Sequence, residues 1–175
     1  MRLIVCRVLM CLGLVTLMAR ECRAEAGAPW ASSGTTRYFA LRLRPAEDLL
    51  ASLRQFARDH GLRAAFVASC AGSAVRTSVR YANQSAATTR EGHFEIVSLS
   101  GTLTADGAHL HAAFADSTGA TFGGHLMEGT RIYTTAEIVL GELEEVSFAR
   151  EPDSTYGYRE LVPRPRKDER PGAPR

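Results

Sequence analysis

From Glu25 to Val162 the chain has no lysine and one cysteine, Cys70. The other three cysteines, Cys6, Cys11 and Cys22, lie within the first 24 residues. A domain with one thiol forms no intrachain disulfide, so it must be held by its core or by assembly. Basic charge is scarce too, with 12 arginines against 16 acids in that stretch, 12 − 16 = −4. A net-acidic core is a poor binder of phosphate backbones, because nucleic-acid affinity rests largely on basic charge. No internal repeat, phosphate-cradling glycine loop or nucleophile elbow is present, and no general acid or base stands at a diagnostic spacing. Catalytic residues are therefore unassigned, and no organic cofactor site is indicated.

The first 24 residues read as an address. Met1 to Arg7 carries two arginines, Val8 to Ala19 is an uninterrupted apolar run, and Cys22-Arg23-Ala24 is a small-residue cleavage pattern. Together these form a secretory signal peptide, and the apolar run is short for a bilayer span. A mitochondrial presequence is the rival, and a misplaced start codon on a cytoplasmic protein is the third option. No stable membrane span is expected in the mature chain. Residues 25–36 lack periodicity and read as a linker, 37–162 as one folded domain, and 163–175 as a disordered tail. That tail is proline-rich and basic, with five basic residues against two acids, 5 − 2 = +3. Asn83-Gln84-Ser85 is a glycosylation sequon, informative only on the secretory route.

Within the domain, Phe39, Leu41 and Leu43 alternate with Arg42 and Arg44, which predicts a strand. Pro45 suits a first helical position, and Leu49, Leu50, Leu53, Phe56 and Ala57 then share one face up to Gly61. The predicted helix runs from Pro45 to His60. Ala64 to Cys70 predicts a buried strand ending in a turn at Ala71-Gly72-Ser73, with Val75 to Tyr81 a second strand. Asn83 to Glu91 predicts a loop, and His93 to Ser100 a strand that Gly101 to Thr104 continues or pairs with. Ile132 to Leu140 and Leu143 to Ala149 predict a final strand pair around Gly141-Glu142. One helix against about eight short strands implies an α+β fold with a mainly antiparallel, strongly twisted sheet.

Three of the five histidines fall in one stretch, His109 to His125. Residues two apart on a strand share a face, so His109 and His111 point one way, Leu110 and Ala112 the other. A three-residue loop, Ser117 to Gly119, with the glycine in the left-handed region, pairs Asp116 with Ala120 and sets His111 opposite His125. A two-residue loop would send His125 to the other face unless Gly123-Gly124 formed a bulge. In the first register three imidazoles converge, as a divalent metal such as zinc requires: neutral nitrogen ligands and an open fourth position. The plainer alternative is three half-buried histidines that only pack.

These segments, in this order, resemble the PPC domain, the plant-and-prokaryote conserved family. The resemblance spans Tyr38 to about Leu161. It rests on Leu41-Arg42-Leu43, Gly72-Ser73, Phe94-Glu95-Ile96-Val97-Ser98-Leu99-Ser100-Gly101, His109-Leu110-His111, Gly123-Gly124-His125-Leu126 and Thr134-Thr135-Ala136-Glu137. It implies a compact α+β domain assembled as a homotrimer, with the histidines as a candidate metal site. Plant members carry an AT-hook with an Arg-Gly-Arg-Pro core. Pro163-Arg164-Pro165-Arg166-Lys167 lacks the glycine and follows the domain instead of preceding it, so DNA binding does not transfer with the family name. Cys70 stands where the family commonly has glycine.

The candidate metal ligands are thus His109, His111 and His125. Glu137 could orient a ligating imidazole, or more plainly pair with Arg42 or Arg131 at a subunit contact. Asp116 reads as a turn former, Glu95 as facing solvent or a neighbouring subunit, and His60 and His93 as surface residues. Three functions stay open. The first is a metal-holding trimer that binds or processes an unidentified small molecule. The others are a DNA-associated or protein-interaction module, and a structural trimer without metal.

Overall fold

The computed structural model describes residues 32–166. Strand β1 (Thr36–Leu43) leads into helix α1 (Leu49–Asp59). There follow β2 (Ala65–Arg80), β3 (Thr88–Thr104), β4 (Gly107–Ala115), β5 (Thr121–Leu126), β6 (Arg131–Leu143), β7 (Val146–Pro152) and β8 (Arg159–Pro165). Six strands form an antiparallel sheet in the order β1-β6-β2-β3-β4-β5, and β5 also returns to pair with β2. Strands β2, β3, β4 and β5 therefore close a hydrogen-bonded circuit. One helix on a mainly antiparallel sheet is the α+β architecture that the sequence implies.

The helix begins later than Pro45. Asp48 is its N-cap, accepting a 2.9 Å hydrogen bond from the Ala51 amide, which satisfies one of the orphan donors of the first turn. Pro45 lies in the preceding turn, where Ala46 sits at φ 69° and cannot be helical. Hydrogen bonds from Ala46 N to Ile132 O and from Leu49 N to Thr130 O anchor that turn to the start of β6. Leu49, Leu50, Leu53 and Ala57 bury the inner face of α1 over Leu103, Phe114, Ile132, Ile138 and Leu140 of the sheet.

Two expected breaks are absent. Ala71-Gly72-Ser73 does not turn, and β2 runs through it as one strand with register shifts against β6. A Cβ on Gly72 would stand 2.2 Å from Thr135 O, so the glycine is there because β6 passes close by. Of the two readings left open at Gly101, continuation holds, since β3 runs through it as one strand, and it begins at Thr88 inside the expected loop. Gly141 and Glu142 stay within β6. Glu142 is buried, its carboxylate accepting from Arg37 Nη2 at 2.8 Å and from Arg63 N at 2.9 Å.

The remaining difference is at the C-terminus. β7 pairs with β8 in a separate two-stranded sheet and not with β6. That strand takes up Pro163, Arg164 and Pro165, residues assigned by composition to the tail. A two-stranded ribbon has only edges, where proline is tolerated. The leader and residues 167–175 lie outside the described residues. Among the described residues no helix is long and apolar enough to cross a membrane. Cys70 is half-buried in β2, and burial pushes its thiol up to about 11.

A candidate three-histidine metal centre

The hairpin β4–β5 forms in the three-residue-loop register. Asp116 N donates to Ala120 O at 3.1 Å and Gly119 N to Asp116 O at 2.9 Å, with Gly119 at φ 83°. The Asp116 carboxylate locks the loop, accepting from Thr118 N at 2.8 Å, Thr118 Oγ1 at 2.6 Å and Ala120 N at 3.1 Å. Asp116 is thus a turn former. His111 then pairs with His125 across the ladder. Along β4, Leu110, Ala112 and Phe114 are buried while His109 and His111 are exposed, the alternation expected of a strand with one face on the core.

Gly123 and Gly124 are not a bulge, since the β4–β5 register runs unbroken from His111–His125 to Ala115–Thr121. They permit close approach instead. A Cβ on Gly123 would lie 2.4 Å from Ala112 O, and one on Gly124 2.6 Å from Arg80 O. Bare glycine at 124 lets β5 lie against β2, where Arg80 pairs with His125 and Val79 with Leu126.

The three rings meet. Centroids of His109 and His111, and of His109 and His125, are 5.1 Å apart, and those of His111 and His125 are 4.5 Å apart. One nitrogen from each lies within 4.8 Å of the others. Three nitrogens on a tetrahedral zinc, each about 2.05 Å from the ion, are separated by about 3.3 Å, so modest ring rotations close the set. The donors are chemically apt: three neutral imidazoles leave a fourth position for water or substrate. Burial lowers the pKa of His109, and Arg150 lowers it further. Burial and Arg80 do the same for His125. Both effects favour the neutral form that binds metal.

Glu137 does not join them. It is exposed on β6, its backbone opposite Arg42 on β1 and Ala71 on β2, which leaves Arg42 as its cross-strand neighbour. Glu95 and His93 are exposed, and the His93 ring lies 4.3 Å from Tyr133. His60 is also exposed, although its ring stacks on Phe56 at 3.9 Å. What sequence reasoning missed is the set of arginines around the histidines. Arg80 and Arg150 carry no periodic signal, and strand pairing and the β7–β8 ribbon bring them there.

Comparison with known proteins fits this geometry. The sequence model of the Plants and Prokaryotes Conserved (PCC) domain matches residues 31–144. The chain belongs to the PCC family. The match holds both histidine strands and ends before β7. A relative in sequence is the protein named bifunctional protein GlmU from Synechococcus sp. (strain JA-3-3Ab), 47% identical over 139 residues. That alignment covers 79% of this chain and 22% of the relative, so the chain spans about a fifth of the length of the curated relatives it matches. A hypothetical protein from Salmonella, known by crystal structure, is 43% identical with a TM-score of 0.77 over 78% of this chain and 99% of its own. A metal-containing protein from Archaeoglobus fulgidus is 25% identical with a TM-score of 0.62 over 72% of this chain and 93% of its own.

Proposed function

We propose that this PCC protein uses His109, His111 and His125 to hold a divalent transition metal, zinc foremost, beside a cleft that binds or processes a small molecule. The observation that carries the proposal is the convergence of three imidazole nitrogens within 4.8 Å on one strand pair. A relative of like fold is itself named as metal-containing. Bound there, the ion would supply a Lewis acid with one open position. The chain's own contribution is to orient the rings through the unbroken β4–β5 ladder and, at His109 and His125, to favour the neutral form. Glu137 has no part in this site.

In the same proposal the protein acts as a homotrimer. Val75 on β2, Val97 on β3 and Tyr133 on β6 are large apolar side chains left exposed on neighbouring strands, and such patches favour association. Residues 1–24 serve as a secretory leader, and a mature N-terminus near Glu25 checks this. Metal analysis of the purified protein is the test of the site. One equivalent of zinc per chain, lost in His109→Ala and His111→Ala with the fold retained by circular dichroism, is the expected result. A metal-free wild type that also takes up neither zinc nor cobalt would overturn it and leave a structural trimer. Light scattering at three times the chain mass tests the assembly.

A further inference from the structure

The ribbon β7–β8 lies beyond residue 144, where the family-model match ends. This ribbon places Arg150, Arg159 and Glu160 in the wall of one cleft of about 1170 Å³, which Arg80, His109 and His125 also line. The other charged residues of that cleft, Arg54 and Glu128, neutralise each other in a 2.7 Å ion pair. Counted with neutral imidazoles, the rest is three arginines against one glutamate, 3 − 1 = +2. That is the opposite sign to the domain as a whole.

These guanidinium groups are held in place yet keep donors to spare. Arg80 Nη1 donates to Gln84 O at 3.1 Å and Arg150 Nη2 to Thr102 Oγ1 at 3.3 Å. Arg159 Nη2 donates to Arg150 O. Among the described residues none of the three forms an ion pair. A guanidinium carries five N–H donors in a fork that matches carboxylate and phosphate oxygens. Arg150 and Arg80 already act electrostatically on His109, and Arg80 on His125, so they would repel a dication held there, and a counter-anion in the cleft would relieve that repulsion.

We propose that the cleft takes a small oxyanion, a carboxylate or a phosphate, gripped by Arg80, Arg150 and Arg159 next to the three histidines, with the β7–β8 ribbon setting which anion this chain accepts. The proposal deepens the metal reading and rests on it for the role of the histidines. The arginine grip does not depend on the ion.

The test uses the full chain, with and without cobalt(II), titrated calorimetrically with inorganic phosphate, with succinate and with neutral succinamide. The cobalt absorption spectrum is followed in parallel. At least one of the two anions is expected to saturate the protein and the diamide is not; which anion binds identifies the class. Arg150→Gln and Arg159→Gln are each expected to weaken the anion at least about tenfold, the loss of one charge-assisted hydrogen bond. At pH 8, above the ordinary imidazole range, neither should weaken cobalt, and Arg150→Lys should recover part of the loss. Anion binding that depends on the arginines in a protein that takes no cobalt would support the anion cleft and sink the metal reading. Cobalt binding with no response to either anion would do the reverse. Equal binding of succinamide, or arginine variants indistinguishable from wild type, would overturn the oxyanion proposal.

Discussion

Replacing Gly124 by alanine isolates what brings the third histidine to its partners. The added Cβ would stand 2.6 Å from Arg80 O and 3.2 Å from the Arg80 carbonyl carbon. An unstrained contact needs about 3.5 Å or more, so β5 must retreat from β2 by roughly an ångström. Because the obstacle is backbone, no rotamer change relieves it. Overpacking of this kind costs about 1–3 kcal/mol. A domain of this size then melts roughly 3–10 °C lower. His125 is the next residue and is itself paired with Arg80 and His111. Metal–ligand distances tolerate only about 0.2 Å of error, so cobalt affinity should fall at least about tenfold. Gly107→Ala is the control, on the same pair of histidine strands but with nothing within 4 Å of the built Cβ. It should change stability by no more than about 0.5 kcal/mol and leave metal binding intact. Thermal unfolding without metal and cobalt titration of both variants read the two effects separately. A Gly124→Ala protein that melts and binds cobalt like Gly107→Ala would refute the reasoning.

Two other perturbations follow from the same structure. Burial, together with Arg150 and Arg80, depresses the pKa of His109, and burial with Arg80 depresses that of His125. The folded metal-free protein then binds fewer protons than the unfolded chain, so this contribution is full above about pH 6.5 and fades as pH falls below it. Melting temperatures measured from pH 8 to pH 5 should show the decline, and the His109→Ala/His125→Ala double variant should lessen it. An unchanged slope would contradict the assignment. Removing the buried Glu142 carboxylate by Glu142→Ala leaves the Arg63 amide and Arg37 without their acceptor, at a cost of about 2–3 kcal/mol in urea unfolding. Exposed Glu137→Ala should cost under about 0.5 kcal/mol, and equal losses would refute the different roles given to the two acids.

The histidine hairpin was legible because what sets its register is local. Two-residue alternation places His109 and His111, and an Asp-x-x-Gly loop of defined length sets the register of His125 against them. Elsewhere the same glycine signal carried two meanings. At Gly119 it marks a turn, whereas at Gly72, Gly101 and Gly124 it marks a neighbouring strand passing within contact distance. Nothing in the adjacent sequence separates these cases where the obstructing atom belongs to a residue far along the chain: Thr135 O for Gly72, Arg80 O for Gly124. The pairing of β7 was hidden for a related reason. Val146 to Pro152 alternates no differently whether it meets β6 or β8, and long-range packing chooses. Helix α1 was recognised by its apolar face, but its start was misplaced because Asp48 can cap only where tertiary contacts hold the turn before it.

Charge illustrates how a correct average can mislead about a site. The domain's net −4 argues against a polyanion lying along it, and that argument is independent of the cleft. Duplex DNA presents a charge about every 1.7 Å and is held by several separate phosphate contacts. Here the cleft's arginines that form no ion pair among the described residues, Arg80, Arg150 and Arg159, line one concave region. Three charges in one concavity cannot track a backbone, but they can surround one small anion. Any affinity of the folded domain for AT-rich duplex should therefore be weak, with a slope of log affinity against log salt no steeper than about −3, the limit for three neutralised phosphates. Filter-binding or fluorescence titration from 50 to 200 mM salt reads that slope. A steep dependence that survives removal of residues 167–175 would mean that some surface other than this cleft carries the contact, and would reopen the DNA reading on the domain itself.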